Sequence, residues 1–435
     1  MTDYKYIIIG NSAAAVGGVE GIRRSDKDGS ILLISDEPHH TYSRPLISYY
    51  LEGRVAEKNI YYRDKDFYSS NNVTVKLGAR VEYVKNNLVS LSDTTAYKFQ
   101  KLLYAAGSRP FVPPIPGLDR VNNKFTFMDF DSARAISEKL KAGIKNVLIM
   151  GAGLIGLKAM EAVTEYENVS VTVADLASRV MPSVLNDDGS DVIKAHILKT
   201  KSNVRLILGA GVEKFDVQSG QNSAIFADDS RVVFDLLIIA VGVRPNVEIL
   251  RDAGAKTDKG ILTDEQQLTS LSNIYAAGDC TQSVDCSDGV SKIMALLPNA
   301  YFQGETAGIS MAGGSQAETS AGLLPMNAIG FYGLHLISAG NGGSHLGKNE
   351  SEYTVNDKDG YKRLVFKETA EGKVLTGYIL IGKYVSRAGI YTSMIREKYL
   401  IPGDKAGLVH EKPQLLIFGK ATRLQKLANL SDVTI

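Results

Sequence analysis

The sequence predicts an α/β protein of two similar parallel-sheet units followed by a smaller α+β domain, and two internal repeats predict it. An apolar strand running into a glycine turn and a helix occurs first as Lys5-Tyr-Ile-Ile-Ile-Gly10-Asn-Ser12-Ala-Ala-Ala15 and again as Asn146-Val-Leu-Ile-Met-Gly151-Ala-Gly153-Leu-Ile-Gly156. An apolar strand ending in glycine and proline also occurs twice, as Leu102-Leu-Tyr-Ala-Ala-Gly107-Ser-Arg-Pro110 and Leu237-Ile-Ile-Ala-Val-Gly242-Val-Arg-Pro245. Strand, glycine turn and helix lay a pyrophosphate on a helix N-terminus. The expected architecture is therefore two Rossmann-like dinucleotide-binding domains of the three-layer ββα type plus a C-terminal α+β domain.

Taken in order, Lys5–Ile9 is the opening strand of the first unit, the helix begins after Ser12, and Ile31–Ile34 is the next strand. Leu102–Tyr104 closes the unit. Residues 110–117 hold four prolines and a glycine, which suit neither a helix interior nor a central strand, so they read as the crossing into the second unit. There Asn146–Met150 opens, a helix starts after Gly153, Val169–Val173 follows, and the strand at Leu237 closes. A third closing-type strand, Asn273-Ile-Tyr-Ala-Ala-Gly278-Asp279, has no counterpart after the first unit and is expected to return and complete the first sheet. Beyond residue 326 the pattern changes to Tyr361–Lys367, a turn at Gly372, Val374–Ile381 and a helix over Ala388–Leu400. The domains read as 1–112 with 245–325, then 113–244, then 326–435.

Composition narrows the function. The chain has 435 residues, 44% of them hydrophobic, enough for two or three cores. Forty-nine basic and 48 acidic residues give a formal charge of +1, so there is no electrostatic reason to expect a nucleic-acid partner. The first residues lack a basic region followed by an apolar stretch, and no later apolar run nears the roughly 18 residues of a membrane span. The chain reads as soluble and cytoplasmic. Its two cysteines, Cys280 and Cys286, and six scattered histidines match no disulfide framework or metal-ligand spacing, and no metal site is expected.

In the first unit the turn is G-x-S-x-x-A. Gly10 makes the turn, Ser12 replaces the second glycine and offers a hydroxyl to a phosphate, and Ala13 and Ala14 open the helix. Asp36 and Glu37 stand just past the second strand, where a carboxylate accepts from an adenosine ribose. The second unit has Gly151, Gly153 and Gly156 complete, with Leu154 and Ile155 between them, and its second strand leads to Asp175. A carboxylate about 4 Å from a 2′-phosphate costs on the order of 4 kcal/mol per unit charge at an effective dielectric of about 20, so NADH is expected over NADPH. Arg179, close by, keeps NADPH open as an alternative. Two facing dinucleotides follow the logic of a flavoprotein exchanging hydride with a nicotinamide: FAD on the first unit and NAD(H) on the second.

Together these features resemble the pyridine nucleotide-disulfide oxidoreductase superfamily, in its branch without a redox disulfide. The resemblance covers most of residues 1–320 and rests also on Thr41-Tyr-Ser-Arg-Pro-Leu-Ile-Ser48 and on Ile274-Tyr-Ala-Ala-Gly278-Asp279. It implies that Arg44 contacts FAD, that Gly278 and Asp279 hold the ribityl chain, and that a helix starting at Leu297 aims its N-terminus at the flavin. Val81, Ala106 and Gly107 join this set of candidate cofactor contacts, and Gly242 joins the NAD(H) set. Two departures stand out. No cysteine lies between Ile34 and Gly53, which argues against thiol chemistry. Ferredoxin-reductase relatives tend to pair a lysine after the arginine-proline element with a glutamate on the second glycine-turn helix; here Tyr49 and Lys158 stand at those places. They are the candidate catalytic residues, with Lys158 expected at the flavin–nicotinamide junction.

More narrowly, the chain is similar to NADH:rubredoxin or ferredoxin reductase-type flavin subunits of anaerobic iron–sulfur systems. That likeness implies hydride transfer between NAD(H) and flavin N5 and single-electron exchange with an iron–sulfur protein or subunit. It also implies a homo-oligomer or a subunit of a hetero-complex, with residues 326–435 supporting such contacts. Two other readings are an NADH oxidase using oxygen and an NADH-sensing flavoprotein resembling apoptosis-inducing factor.

Overall fold

A computed structural model describes residues 2–314, 322–343, 345–403, 406–411, 413–420 and 423–424. The chain opens with β1 (Thr2–Ile9), α1 (Ala13–Ser25), β2 (Ile31–Ile34), α2 (Leu46–Leu51), α3 (Phe67–Ser70) and β3 (Val73–Lys76). Next come β4 (Val81–Lys85), β5 (Leu88–Leu91), β6 (Ala96–Tyr104) and β7 (Ser108–Pro110). β1 pairs in parallel with β2 and β6, and Tyr6 through Ile9 are all buried, as a central strand covered on both faces requires. The sheet order is β3-β2-β1-β6-β5-β4. β6 serves two layers: Ala96–Lys98 pairs antiparallel with β5, while Leu102–Tyr104 takes a further parallel strand.

The chain continues with β8 (Lys124–Thr126), α4 (Phe130–Lys141), β9 (Asn146–Met150), α5 (Leu154–Val163), β10 (Ser170–Asp175), α6 (Asp187–Thr200) and β11 (Val204–Leu208). An antiparallel sheet of β12 (Val212–Gln218), β13 (Gln221–Phe226) and β14 (Arg231–Phe234) follows, then β15 (Leu236–Ile239) and β16 (Val243–Pro245). The parallel sheet runs β11-β10-β9-β15-β8, with β9 and β15 in the places of β1 and β6. The two closing echoes also meet: β7 and β16 pair antiparallel, Ser108 opposite Pro245 and Pro110 opposite Val243.

The returning segment supplies α7 (Glu248–Asp252), β17 (Ile261–Leu262), β18 (Ile274–Ala276), β19 (Thr281–Val284), β20 (Ser291–Lys292) and α8 (Leu297–Met311). β18 pairs with β6 in parallel, so the third strand completes the first sheet as expected. α8 approaches α1 to backbone contact at its glycines. A Cβ at Gly304 would overlap the main chain of Ala14, and one at Gly308 would overlap that of Gly18. The contacting pairs advance in the same direction along both helices, so α1 and α8 run parallel with their N-termini at one end.

The C-terminal part forms β21 (Met326–Phe331), β22 (Leu334–Gly340), β23 (Glu350–Asp357), β24 (Gly360–Thr369), β25 (Gly372–Gly382) and α9 (Ala388–Arg396). Its antiparallel sheet runs β21-β22-β25-β24-β23, and its core gathers Leu364, Phe366, Tyr378, Tyr391 and Met394. α9 begins where expected and stops four residues early. Lys398 adopts φ +47, and the amides of Tyr399 and Lys398 bond back to the carbonyls of Met394 and Ile395, a Schellman closure. By contact density the chain forms two units. One comprises Met1–Val180, Leu198–Val284 and Ser291–Leu323; the other comprises Met181–Ile197, Asp285–Val290 and Leu324–Ile435. Among the described residues no helix is long and apolar enough to cross a membrane.

Candidate active site

The two glycine turns share one geometry. Gly10 has φ +117 and Gly151 has φ +108, and a Cβ on either would overlap the carbonyl of the facing strand end, Ala105 or Ala240. Only glycine meets both demands. Gly156 is required by packing, since a Cβ there would overlap the carbonyl of Gly151. Gly153 differs from all of these. It caps α5 with an ordinary φ of −79, and a Cβ on it would meet nothing within 4 Å. Neither a positive φ nor close packing demands glycine at this N-cap. The open space in front of a helix N-terminus fits a pyrophosphate approaching the backbone.

In the first turn Ser12 caps α1 with extended backbone, but its hydroxyl makes no capping hydrogen bond. It lines a cleft with Asn11, Ser35, Glu37, His39, Tyr42 and Arg44. Arg44 is paired with Glu37, and it also donates to the Met128 carbonyl (2.9 Å) and the Tyr42 hydroxyl (3.2 Å). Tyr42 in turn donates to Glu37 at 2.6 Å and accepts from the Phe130 amide at 3.2 Å. Burial drives the Tyr42 pKa far up, keeping the hydroxyl a donor. These bonds tie the cleft to residues at the start of α4. Of the acidic pair expected here, only Glu37 lines the cleft. Asp36 is exposed beyond the strand end, and Val81, placed among the cofactor contacts by resemblance, is 7% exposed in the sheet core and lines no part of the cleft. Ala13 and Ala14 are buried, so any contact they make with a ligand comes through the backbone of the first turn of α1.

The second turn is held by Asp175. Its Oδ2 accepts from the Ala152 amide at 2.6 Å and its Oδ1 from the Ala177 amide at 2.7 Å, leaving further lone pairs on both oxygens. Ile155, 37% exposed, stands on the open side of α5. Gly107 and Gly242 occupy matching places after β6 and β15, with φ +61 and +114 and open space where a Cβ would project. Ala106 beside the first accepts from the Asn246 side chain at 2.8 Å.

Past β18, Gly278 donates to Gln303 on α8 at 2.9 Å, and Asp279 accepts from the Ser108 hydroxyl at 3.1 Å. Burial raises the Asp279 pKa against that bond and the more distant Arg44. α8 starts at Leu297 with no side-chain cap and no acid in its first turn, so its N-terminus is electrostatically suited to an electron-rich group. Cys280 is fully buried, and burial pushes its thiol up to about 12, which makes it inert at neutral pH.

Tyr49 and Lys158 come together: the Lys158 ammonium lies 4.9 Å from the Tyr49 ring centre. Two carboxylates that sequence reasoning did not single out share that lysine. Glu161 forms an ion pair with it, and Glu52 Oε1 is 4.0 Å from Nζ. The signal was present in the spacing, since Tyr49 and Glu52, like Lys158 and Glu161, are three residues apart and share a helical face.

This geometry has known counterparts. Residues 4–304 match the family model described as pyridine nucleotide-disulphide oxidoreductase. The chain belongs to that family. It is 28% identical over 406 residues to the NADH-dependent phenylglyoxylate dehydrogenase subunit epsilon of Aromatoleum evansii, covering 92% of this chain and 93% of that one. It is 32% identical over 317 residues to an NADH oxidase of Methanocaldococcus jannaschii, covering 71% and 70%. Among solved structures it superposes with a TM-score of 0.81 on the covalent putidaredoxin reductase–putidaredoxin complex, at 22% identity and with 100% of each chain covered. The protein is an FAD-dependent NAD(H) oxidoreductase.

Proposed function

We propose that the chain passes electrons between NAD(H), seated on the Gly151–Gly156 turn, and an iron–sulfur protein or subunit, by way of FAD seated on the Gly10–Ser12 turn. The observation that carries this reading is the pair of turns of one geometry in one compact unit, the second with open space in front of Gly153 at the N-terminus of α5. Flavin, when bound, supplies the exchange between hydride and single electrons. The chain's own residues bind and orient. Asp175 accepts from an adenosine ribose, Glu37 and Arg44 seat the other adenosine, and Asp279 and the N-terminus of α8 hold the far end of the flavin cofactor.

Both cysteines are buried, so no thiol among them takes the electrons, and a separate acceptor is needed. The relative named as a dehydrogenase subunit favours a place in a larger complex, with residues 326–435 making the subunit contacts. The relative named NADH oxidase favours a second reading, oxygen as acceptor. Stopped-flow reoxidation separates them: an iron–sulfur protein that reoxidises the flavin much faster than oxygen supports the first. Denaturing the purified protein and finding no flavin would contradict both.

A further inference from the structure

The carboxyl group of Glu52 is completely buried, yet neither of its oxygens accepts a hydrogen bond among the described residues. Arg54 Nε approaches Oε2 at 3.0 Å from a side chain that is 58% exposed, a distance suited to an ion pair but without hydrogen-bond alignment. On the other side Lys158, whose side chain is 14% exposed, is engaged by Glu161, a residue only 4% exposed, so two buried carboxylates share one partly exposed ammonium. Tyr49 covers the lysine, and Glu165, one turn beyond Glu161, is paired with Lys201 at 3.0 Å. An ionised carboxylate in such a place lacks the donors that normally offset burial. The cluster spans α2, which follows Arg44 in the flavin half, and α5, which rises from the NAD(H) glycine turn.

We infer that Glu52 is the group that takes up the proton accompanying flavin reduction, with Lys158 and Glu161 setting the charge around it. This rests on the assignment of FAD and NAD(H) above. Hydride transfer moves two electrons and one proton from NADH to the flavin and leaves NAD+, so the flavin site gains one negative charge. One solvent proton then binds an ionised oxygen of Glu52, restoring the charge of the site. When the two electrons pass singly to the iron–sulfur acceptor, the proton that arrived with the hydride leaves the flavin for solvent and the proton on Glu52 is released as well. The direction agrees with the surroundings: burial raises the Glu52 pKa, Glu161 and Glu165 add to the rise, and Lys158 and Arg54 oppose it. A further negative charge nearby raises it again, and uptake occurs at pH values between the oxidised-state and reduced-state pKa.

The test is the midpoint potential of the bound flavin in the whole protein, measured from about pH 5 to about pH 9 for wild type, Glu52→Gln and Lys158→Met. Wild type is expected to show a window with one extra proton per two electrons, a tenfold change in the reduction equilibrium per pH unit, or about 30 mV. Glu52→Gln loses that window. Lys158→Met moves it to higher pH. Redox-difference infrared spectra of wild type carrying carbon-13-labelled glutamate provide a measurement that needs no variant, and a carboxylic-acid band is expected to appear on reduction. Equal slopes in wild type and Glu52→Gln, or a flavin that NADH reduces with no carboxylic-acid band appearing, would overturn the inference alone. A protein purified without flavin would overturn the cofactor assignment and this inference with it.

Discussion

Replacing Asp175 with Asn is expected to remove most of the preference for NADH over NADPH. The carboxylate is fixed by the Ala152 amide at 2.6 Å and the Ala177 amide at 2.7 Å, so it has little freedom to swing away from a 2′-phosphate. At about 4 Å, two unit charges repel by about 1 kcal/mol in water and about 4 kcal/mol at an effective dielectric of 20. Asp175 is half-buried, which puts the penalty at about 2 to 3 kcal/mol, a discrimination of about 30- to 150-fold. The asparagine keeps one carbonyl acceptor for the turn and removes the charge, so the two cofactors are expected to come within about threefold of each other. NADH itself is expected to weaken by about 1.5 kcal/mol through loss of a charged ribose bond. The assay is anaerobic stopped-flow flavin reduction by each nucleotide. Wild-type reduction that is equal or faster with NADPH, or an asparagine variant that keeps the full preference, refutes the electrostatic reasoning.

Other consequences follow from the same geometry. Gly153→Ala should change stability by less than about 1 kcal/mol, because nothing lies within 4 Å of the new Cβ, yet weaken NADH binding at least tenfold by calorimetry. Gly156→Ala should instead lower the urea midpoint by the equivalent of about 3 kcal/mol, since its Cβ would overlap the Gly151 carbonyl. Arg44→Met leaves Glu37 without its cation and the Met128 carbonyl without its donor, and should cost about 2 kcal/mol of FAD affinity, read as flavin lost on desalting. Asp26 accepts from Lys5 at 2.7 Å, Tyr6 at 2.8 Å and the Gly29 amide at 2.8 Å, which hold its pKa far below the ordinary carboxylate value. Its contribution is therefore fully present above about pH 4 and fades as pH falls toward the folded-state pKa. Asp26→Asn should destabilise by about 2 kcal/mol at neutral pH, with the gap to wild type closing in acid.

Much of the fold was legible because the repeated pattern is itself physical. Strands buried on both faces need uninterrupted apolar runs, and the turns need glycine for φ and for close approach, so Lys5–Gly10 and Asn146–Gly151 announced themselves. The echoed Arg-Pro ends were legible, but the antiparallel pairing of β7 with β16 that joins them was not. What the sequence hid were contacts between distant segments. The backbone crossing of α1 and α8 depends on Gly304 and Gly308, which lie nearly 300 residues from Ala14 and Gly18, the residues they approach. The bonds from Tyr42 and Arg44 to Phe130 and Met128 join segments more than 80 residues apart. Glu52 stayed unread because a glutamate at the end of a short helix is usually solvated, and its burial comes from the packing of this segment against α4 and α5, distant in sequence. Asp36 and Glu37 show the same limit, since adjacent acids past a strand end point to different surroundings and the sequence does not say which one faces the cleft.

The central claim, electron passage from NADH through FAD to an iron–sulfur protein, is tested most directly by a double-mixing stopped-flow experiment on the flavin absorbance. The protein is reduced with one equivalent of NADH without oxygen, then mixed with an oxidised iron–sulfur protein or with air-saturated buffer. Rapid bleaching by NADH and recovery at least tenfold faster with the iron–sulfur protein than with oxygen is the predicted result. Recovery that is faster with oxygen, or no bleaching by NADH, would contradict the claim.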